Sequence, residues 1–232
     1  MPRTRSGRRR ARTLTVAATT LALLAVLPPA ADASAHGATE RPLSRSLGCA
    51  LEGWAPHSEA CRSVVATGGA PISDWQSIVV ADTYRGESTP QYRASIPDGQ
   101  LCSAGRPGFE ALNEVHPDWP NTHLEAGATT VLRYKPTVRH QPYTFSFFVT
   151  RDDWDKSKPL TWDALEATPF LVADSPDITE TADGFIADLP AVLPSGKTGA
   201  HIIYAIWQGN VKRDGSVQST EAFFSCSDVT FG

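Results

Sequence analysis

Between residues 129 and 231 the apolar side chains recur with the period of a strand. Tyr143, Phe145, Phe147 and Val149 alternate with Thr144, Ser146, Phe148 and Thr150. That spacing of two puts one set on a single face of a sheet, with Phe148 the one aromatic out of place. Thr129 to Tyr134 is β-branched and apolar, His201 to Trp207 is continuously apolar, and Ala222 to Phe231 reads as a last strand. Only Pro159 to Leu165 reads as a helical turn, with Thr161 as its cap. Short strands joined by turns predict an all-β chain folded as a β-sandwich. The 232 residues, 41% of them hydrophobic, suffice for one sizeable core. Residues 37 to 125 break the pattern. They are rich in Gly, Pro, Ser and Asp, with turn signals at Pro97-Asp98-Gly99 and Arg106-Pro107-Gly108. This predicts a long loop-rich insertion near the N-terminus, held by disulfides or used as a functional surface. There is no internal repeat and no second-domain boundary.

The first 35 residues are of another kind. Six arginines fall within residues 1 to 12, and a short apolar run at 14 to 28 ends at Pro28-Pro29. The run is too short to span a bilayer, and Ala33-Ser34-Ala35 offers the small residues a signal peptidase reads. The expected organisation is a signal peptide over 1–35, by the general or the twin-arginine route, and a single domain over 36–232 that is secreted and monomeric. The remaining 197 residues carry 15 basic and 24 acidic residues, a formal charge of −9. So acidic a body argues against nucleic acid or an anionic membrane as partner after cleavage. Phosphate-cradling glycine motifs are missing as well.

Cys49, Cys61, Cys102 and Cys226 make an even count in an exported chain, which reads as two disulfides. Three pairings exist. The favoured one joins Cys49 to Cys61 across a short loop and Cys102 to Cys226 across a long one. A zinc site would call for a C-x-x-C pair, which the sequence lacks.

Cleavage after Ala35 makes His36 the first residue. An N-terminal histidine offers an α-amine, with a pKa near about 7.7–8.0, beside an imidazole. The amine and Nδ1 can chelate one metal ion, and a second imidazole would complete a planar three-nitrogen set. Planar nitrogen ligation favours copper. His57, His116, His123, His140 and His201 are all candidates for that second ring; residue pattern alone leaves the choice open.

Segments in a fixed order carry a resemblance. They are His36-Gly37, Pro42-Leu43-Ser44-Arg45, Ile96 to Ser103, Asp118 to Leu124, Phe148 to Trp154, Pro159-Leu160-Thr161-Trp162 and Phe223 to Val229. Together they resemble the bacterial lytic polysaccharide monooxygenases of auxiliary activity family 10, formerly grouped as chitin-binding proteins, over nearly all of residues 36 to 232. The resemblance implies a fibronectin III/immunoglobulin-like β-sandwich holding one copper ion per chain. It implies His36 and His140 as metal ligands, Phe223 at the axial face, and Glu221 as an acid beside the centre. Trp207 is similar to a family tryptophan packed beneath the site.

Two departures bear on substrate. Val138 stands where relatives have a small alanine, and Thr137 stands where cellulose-oxidising relatives carry an aromatic. Trp75, Tyr84 and Trp54 are then the candidates for stacking on sugar, with Val138 shaping the pocket. The implied reaction is oxidative cleavage of a crystalline polysaccharide, cellulose ahead of chitin, using an external electron donor and hydrogen peroxide or dioxygen. The rival readings are a non-catalytic carbohydrate-binding protein and a copper carrier.

Overall fold

A computed structural model describes residues 1–2, 36–139, 142–210 and 219–232. The unit that carries the fold is Ala33–Gly232. Nearly all of the expected signal peptide, and His140, lie outside the described residues. The described strands, in chain order, are β1 (Gly37–Arg41), β2 (Val79–Val80), β3 (Asn121–Leu124), β4 (Thr129–Pro136), β5 (Tyr143–Val149), β6 (Leu171–Asp174), β7 (Thr179–Thr181), β8 (Gly184–Val192), β9 (Gly199–Gly209) and β10 (Ala222–Phe231). They form two sheets, ordered β1-β4-β8-β7 and β2-β10-β9-β5-β6. The free edge of β10 is closed by β2 at one end and by β3, in parallel, at the other. The inner faces enclose Leu132, Tyr134, Phe145, Phe147, Leu189, Ile203, Trp207, Phe223 and Phe231. This is the two-sheet sandwich that the alternation predicts, in the fibronectin/immunoglobulin-like form that the resemblance implies.

β9 has no polar face, for a reason the sequence does not show. Ile203, Ala205 and Trp207 enter the inter-sheet core, while Ile202, Tyr204 and Ile206 enter a second core on the outer side of the same sheet. A strand covered on both faces reads as one apolar run instead of alternating. Phe148 belongs with this second core, against which it is half-buried. The covering layer comes from the insertion, which is partly helical: α1 (Arg45–Glu52), α2 (Glu59–Ala66), α3 (Ala70–Ser73) and α4 (Tyr92–Ser95), with two 3₁₀ turns between α4 and β3. Among the described residues no helix is long and apolar enough to cross a membrane.

Specific polar bonds fasten this layer. Ser58 caps α2 by accepting the Cys61 N–H at 3.2 Å. Arg45, 6% exposed, forks onto Asp228 of β10 at 2.6 and 2.9 Å and donates to the Leu112 carbonyl at 2.7 Å. Its guanidinium also lies 4.6 Å over the Trp119 ring. Cys49–Cys61 joins α1 to α2, and Cys102–Cys226 ties the insertion to β10 across 124 residues. This is the favoured pairing, and no free cysteine remains among the described residues. The expected turn near Thr161 is 3₁₀ over Trp162–Ala164. Thr161 makes no side-chain cap bond; the Trp162 N–H donates instead to Asp98 at 2.8 Å.

Candidate metal centre

His36 stands immediately before β1, and its backbone is held on both sides. Its carbonyl accepts the Thr137 N–H at 2.7 Å and the Thr137 hydroxyl at 3.1 Å. The next N–H, of Gly37, donates to the Gln76 carbonyl at 2.9 Å. Gly37 pairs with Pro136 across the β1–β4 ladder, and only a glycine fits there. A Cβ would lie 2.5 Å from the Tyr134 ring, 2.8 Å from the Lys135 carbonyl oxygen and 2.9 Å from the Pro136 Cα. Two residues on, the Thr39 hydroxyl meets the Ser225 hydroxyl at 2.7 Å, a buried bond from β1 to β10 in the opposite sheet. The chain leading away from His36 is therefore fixed to both sheets.

The His36 ring meets the fully buried Phe223 edge-on, with centroids 5.6 Å apart and planes at 69°. Beneath Phe223 sits Trp207, its partner in the β9–β10 ladder, at 5.3 Å. Tyr143, Tyr134 and Phe145 pack around Trp207 at 4.5, 5.3 and 5.5 Å. This aromatic bed is stiff and dry. It contains two orphaned polar atoms, the Tyr134 hydroxyl and the Trp207 indole nitrogen, neither with a hydrogen-bond partner among the described residues.

Glu221, half-buried, lies two residues before Phe223 and accepts a hydrogen bond from the Tyr143 hydroxyl at 3.2 Å. Burial first, and the Glu221 charge second, push the Tyr143 hydroxyl above its ordinary range. The phenol therefore stays protonated and serves as a donor. No local signal pairs residues 78 apart, so the role of Tyr143 is invisible in the sequence. The same holds for the backbone clamps from Gln76 and Thr137.

His140 cannot be placed, because it lies outside the described residues. Its flanks can. Thr137 is bonded to His36, and on the other side the Pro142 carbonyl accepts the Asn210 N–H at 3.2 Å as β5 begins. The remaining histidines have other neighbours. His57 faces Glu52, His116 faces Glu114, His201 bonds to Thr150, and His123 lies beside the C-terminal Gly232. Among the described residues no three His, Cys, Asp or Glu side chains gather as a ready-made metal cluster. The donor set at His36 fits copper only if the α-amine is freed. The ring, the amine and one further imidazole would then be the nitrogens available.

The proposed substrate contacts differ in character. Trp75 is half-buried and adjoins Gln76, in the turn that clamps Gly37. Tyr84 is half-buried in a turn whose N–H is held by Asp82. Val138 is half-buried against the inter-sheet core. Trp54 is the most open, at 61% exposed. Its ring covers Gly69, where a Cβ would lie 2.4 Å from Cζ3, so a bare backbone seats the indole.

Comparison with known proteins identifies the family. Residues 36–229 match the family model described as lytic polysaccharide mono-oxygenase, cellulose-degrading. The chain is 38% identical over 94% of its length to the chitin-binding protein CbpD of Pseudomonas aeruginosa, covering 52% of that protein. It is 35% identical over 96% of its length to a lytic cellulose monooxygenase of Streptomyces ambofaciens, covering 62% of that one. The chain thus spans about half to three fifths of the length of these relatives. The solved structure of the cellulose-active lytic polysaccharide monooxygenase CelS2 in complex with copper superposes with a TM-score of 0.71 at 31% identity, over 85% of this chain and 99% of that one. The match over residues 36–229, on a sandwich of this form, shows that this chain belongs to the lytic polysaccharide monooxygenase family.

Proposed function

We propose that the protein is a secreted, copper-dependent monooxygenase that cleaves glycosidic bonds in a crystalline β-1,4-linked polysaccharide, and that signal-peptide removal before His36 creates its metal site. One observation carries the reading: the family match begins at His36, the residue whose backbone the fold clamps and whose ring lies on Phe223. His36 and His140 are the proposed ligands. Support for His140 is that Thr137, three residues before it in the chain, is bonded to the His36 carbonyl. Of the other four histidines, His57, His116 and His201 have partners of their own.

Bound copper would supply one-electron chemistry toward hydrogen peroxide or dioxygen, driven by an external reductant. The protein's own contribution is positional. Phe223 closes one side of the His36 ring with an apolar edge and keeps water from it. Glu221, oriented by the Tyr143 hydroxyl, presents a carboxylate that can accept a hydrogen bond or hold a proton at the edge of the site. Trp75, Tyr84, Trp54 and Val138 form the proposed contact with polymer.

Cellulose is the proposed substrate, supported by the family description and the Streptomyces relative. The 38% identity to a chitin-binding protein favours chitin as the second reading. Incubation of each polymer with the processed chain, copper and ascorbate, followed by mass spectrometry of soluble products, tests both. The proposal expects oxidised oligosaccharides from cellulose, abolished by chelation. Products from chitin alone would move the assignment to chitin, and none from either would leave a binding protein.

A further inference from the structure

A cavity of about 370 Å³ opens at the other end of the sandwich, beside the start of β9 and the end of β10. From Ile202 on its wall to Trp207 beneath the candidate centre is five strand residues, about 17 Å. It therefore takes no part in the site described above. Its volume suits a single sugar-sized ligand.

The wall combines three features. First, Trp154, half-buried and held by its indole N–H on the Ala200 carbonyl at 3.4 Å, stands with Leu160 and Pro159 as an apolar surface. Second, one cation is left over. Arg45 and Asp228 neutralise each other and Lys158 pairs with Asp155 at 2.8 Å. The Glu114 carboxylate keeps its charge but is engaged by hydrogen bonds to His116 and Ser63. Lys156 forms no ion pair among the described residues. Third, His201 is 3% exposed, yet only its Nδ1 is hydrogen-bonded, to Thr150 at 2.9 Å. Its Nε2 is 3.9 Å from Asp152, beyond hydrogen-bond reach. Burial first, and the Lys197 ammonium next, keep this ring below the ordinary histidine range and so neutral.

We propose that this cavity binds a hydroxylated carboxylate of sugar size, a sugar acid. The Lys156 ammonium takes the carboxylate. A hydroxyl, being both donor and acceptor, satisfies His201 Nε2 in either tautomer. Trp154 and its apolar neighbours receive the C–H face of the ligand. A neutral sugar leaves Lys156 without its anion, and a simple carboxylate leaves His201 without its hydroxyl.

Ligand-observed NMR titration of the processed chain, with no metal added, tests this apart from any oxidative activity. The probes are gluconate, glucuronate, glucose and acetate. The proposal expects both sugar acids to bind, with glucose and acetate weaker by about ten-fold or more, the scale of one charge-assisted hydrogen bond. Lys156→Glu, at an exposed and unpaired position, should abolish the preference for the acids without moving the melting temperature. Absence of binding, equal binding of all four probes, or an unchanged preference in K156E would overturn it.

Discussion

Gly37→Ala adds a single methyl group next to the candidate ligand, and the structure sets its cost. The new Cβ would sit 2.5 Å from the buried Tyr134 ring and 2.8 and 2.9 Å from backbone atoms of Lys135 and Pro136. Tyr134 has no free space to retreat into, since it packs on Phe145 and Trp207 at 5.1 and 5.3 Å. The backbone of β4 is anchored immediately before these atoms, Thr129 to Tyr134 being paired with β8. The start of β1 must move outward. Overpacking of this kind costs about 1–3 kcal/mol. The outward shift also stretches the Gly37–Gln76 and Thr137–His36 bonds, each worth about 1 kcal/mol. A total of about 3–5 kcal/mol lowers the melting temperature by about 6–20 °C for a domain of this size. Thermal denaturation followed by circular dichroism reads it directly. A melting temperature within about 2 °C of the parent would refute the claim that His36 is held by a glycine-only passage.

Four further outcomes follow from named contacts. Replacing Cys102 and Cys226 by alanine should destabilise the domain more than replacing Cys49 and Cys61; loops of 124 and 12 residues correspond to about 5 and about 3 kcal/mol in the chain-entropy model, measurable by denaturant titration. Arg45→Leu strands Asp228 and should cost about 3–5 kcal/mol, with much of it recovered in Arg45→Leu/Asp228→Leu by the same assay. Glu221→Gln removes the negative charge that raises Tyr143, so the tyrosinate absorbance near 295 nm should emerge at lower pH than in the parent. His201 is buried and its pKa is depressed, so the unfolded chain binds a proton that the native one resists; its contribution should be complete above about pH 6.5 and lost as the pH falls below it. Urea midpoints at pH 5 and 7.5 in the parent and in His201→Gln should show a smaller pH difference in the variant.

The parts legible in the sequence are those governed by local pattern. β5 alternates because one of its faces is half-covered, and β10 spans Ala222–Phe231 as its apolar run suggests. The helices of the insertion are not legible in the sequence because α1 and α2 are only eight residues each and are flanked by Gly, Pro and Ser. Their helicity comes from packing on the outer face of β9 and β10, which no window of sequence contains. β8 carries no clean strand signal because Pro190 interrupts it; beyond Ile186 it pairs only with β4 among the described strands, so the ring meets an open edge. The order of the family's segments marks His36 and Phe223, whose rings the fold brings together. The clamps on His36 and the Tyr143–Glu221 bond join residues 39 to 101 positions apart, and only the fold brings them together.

The central claim is that freeing the amino group of His36 makes the copper site. Copper titration by calorimetry and electron paramagnetic resonance should compare three chains: one beginning at His36, one beginning at Ala35, and the first carrying His140→Ala. The account predicts tight binding of one ion by the first and affinity lower by about 100-fold or more in the other two, as each loses a nitrogen ligand. Equal affinity in all three chains would contradict it.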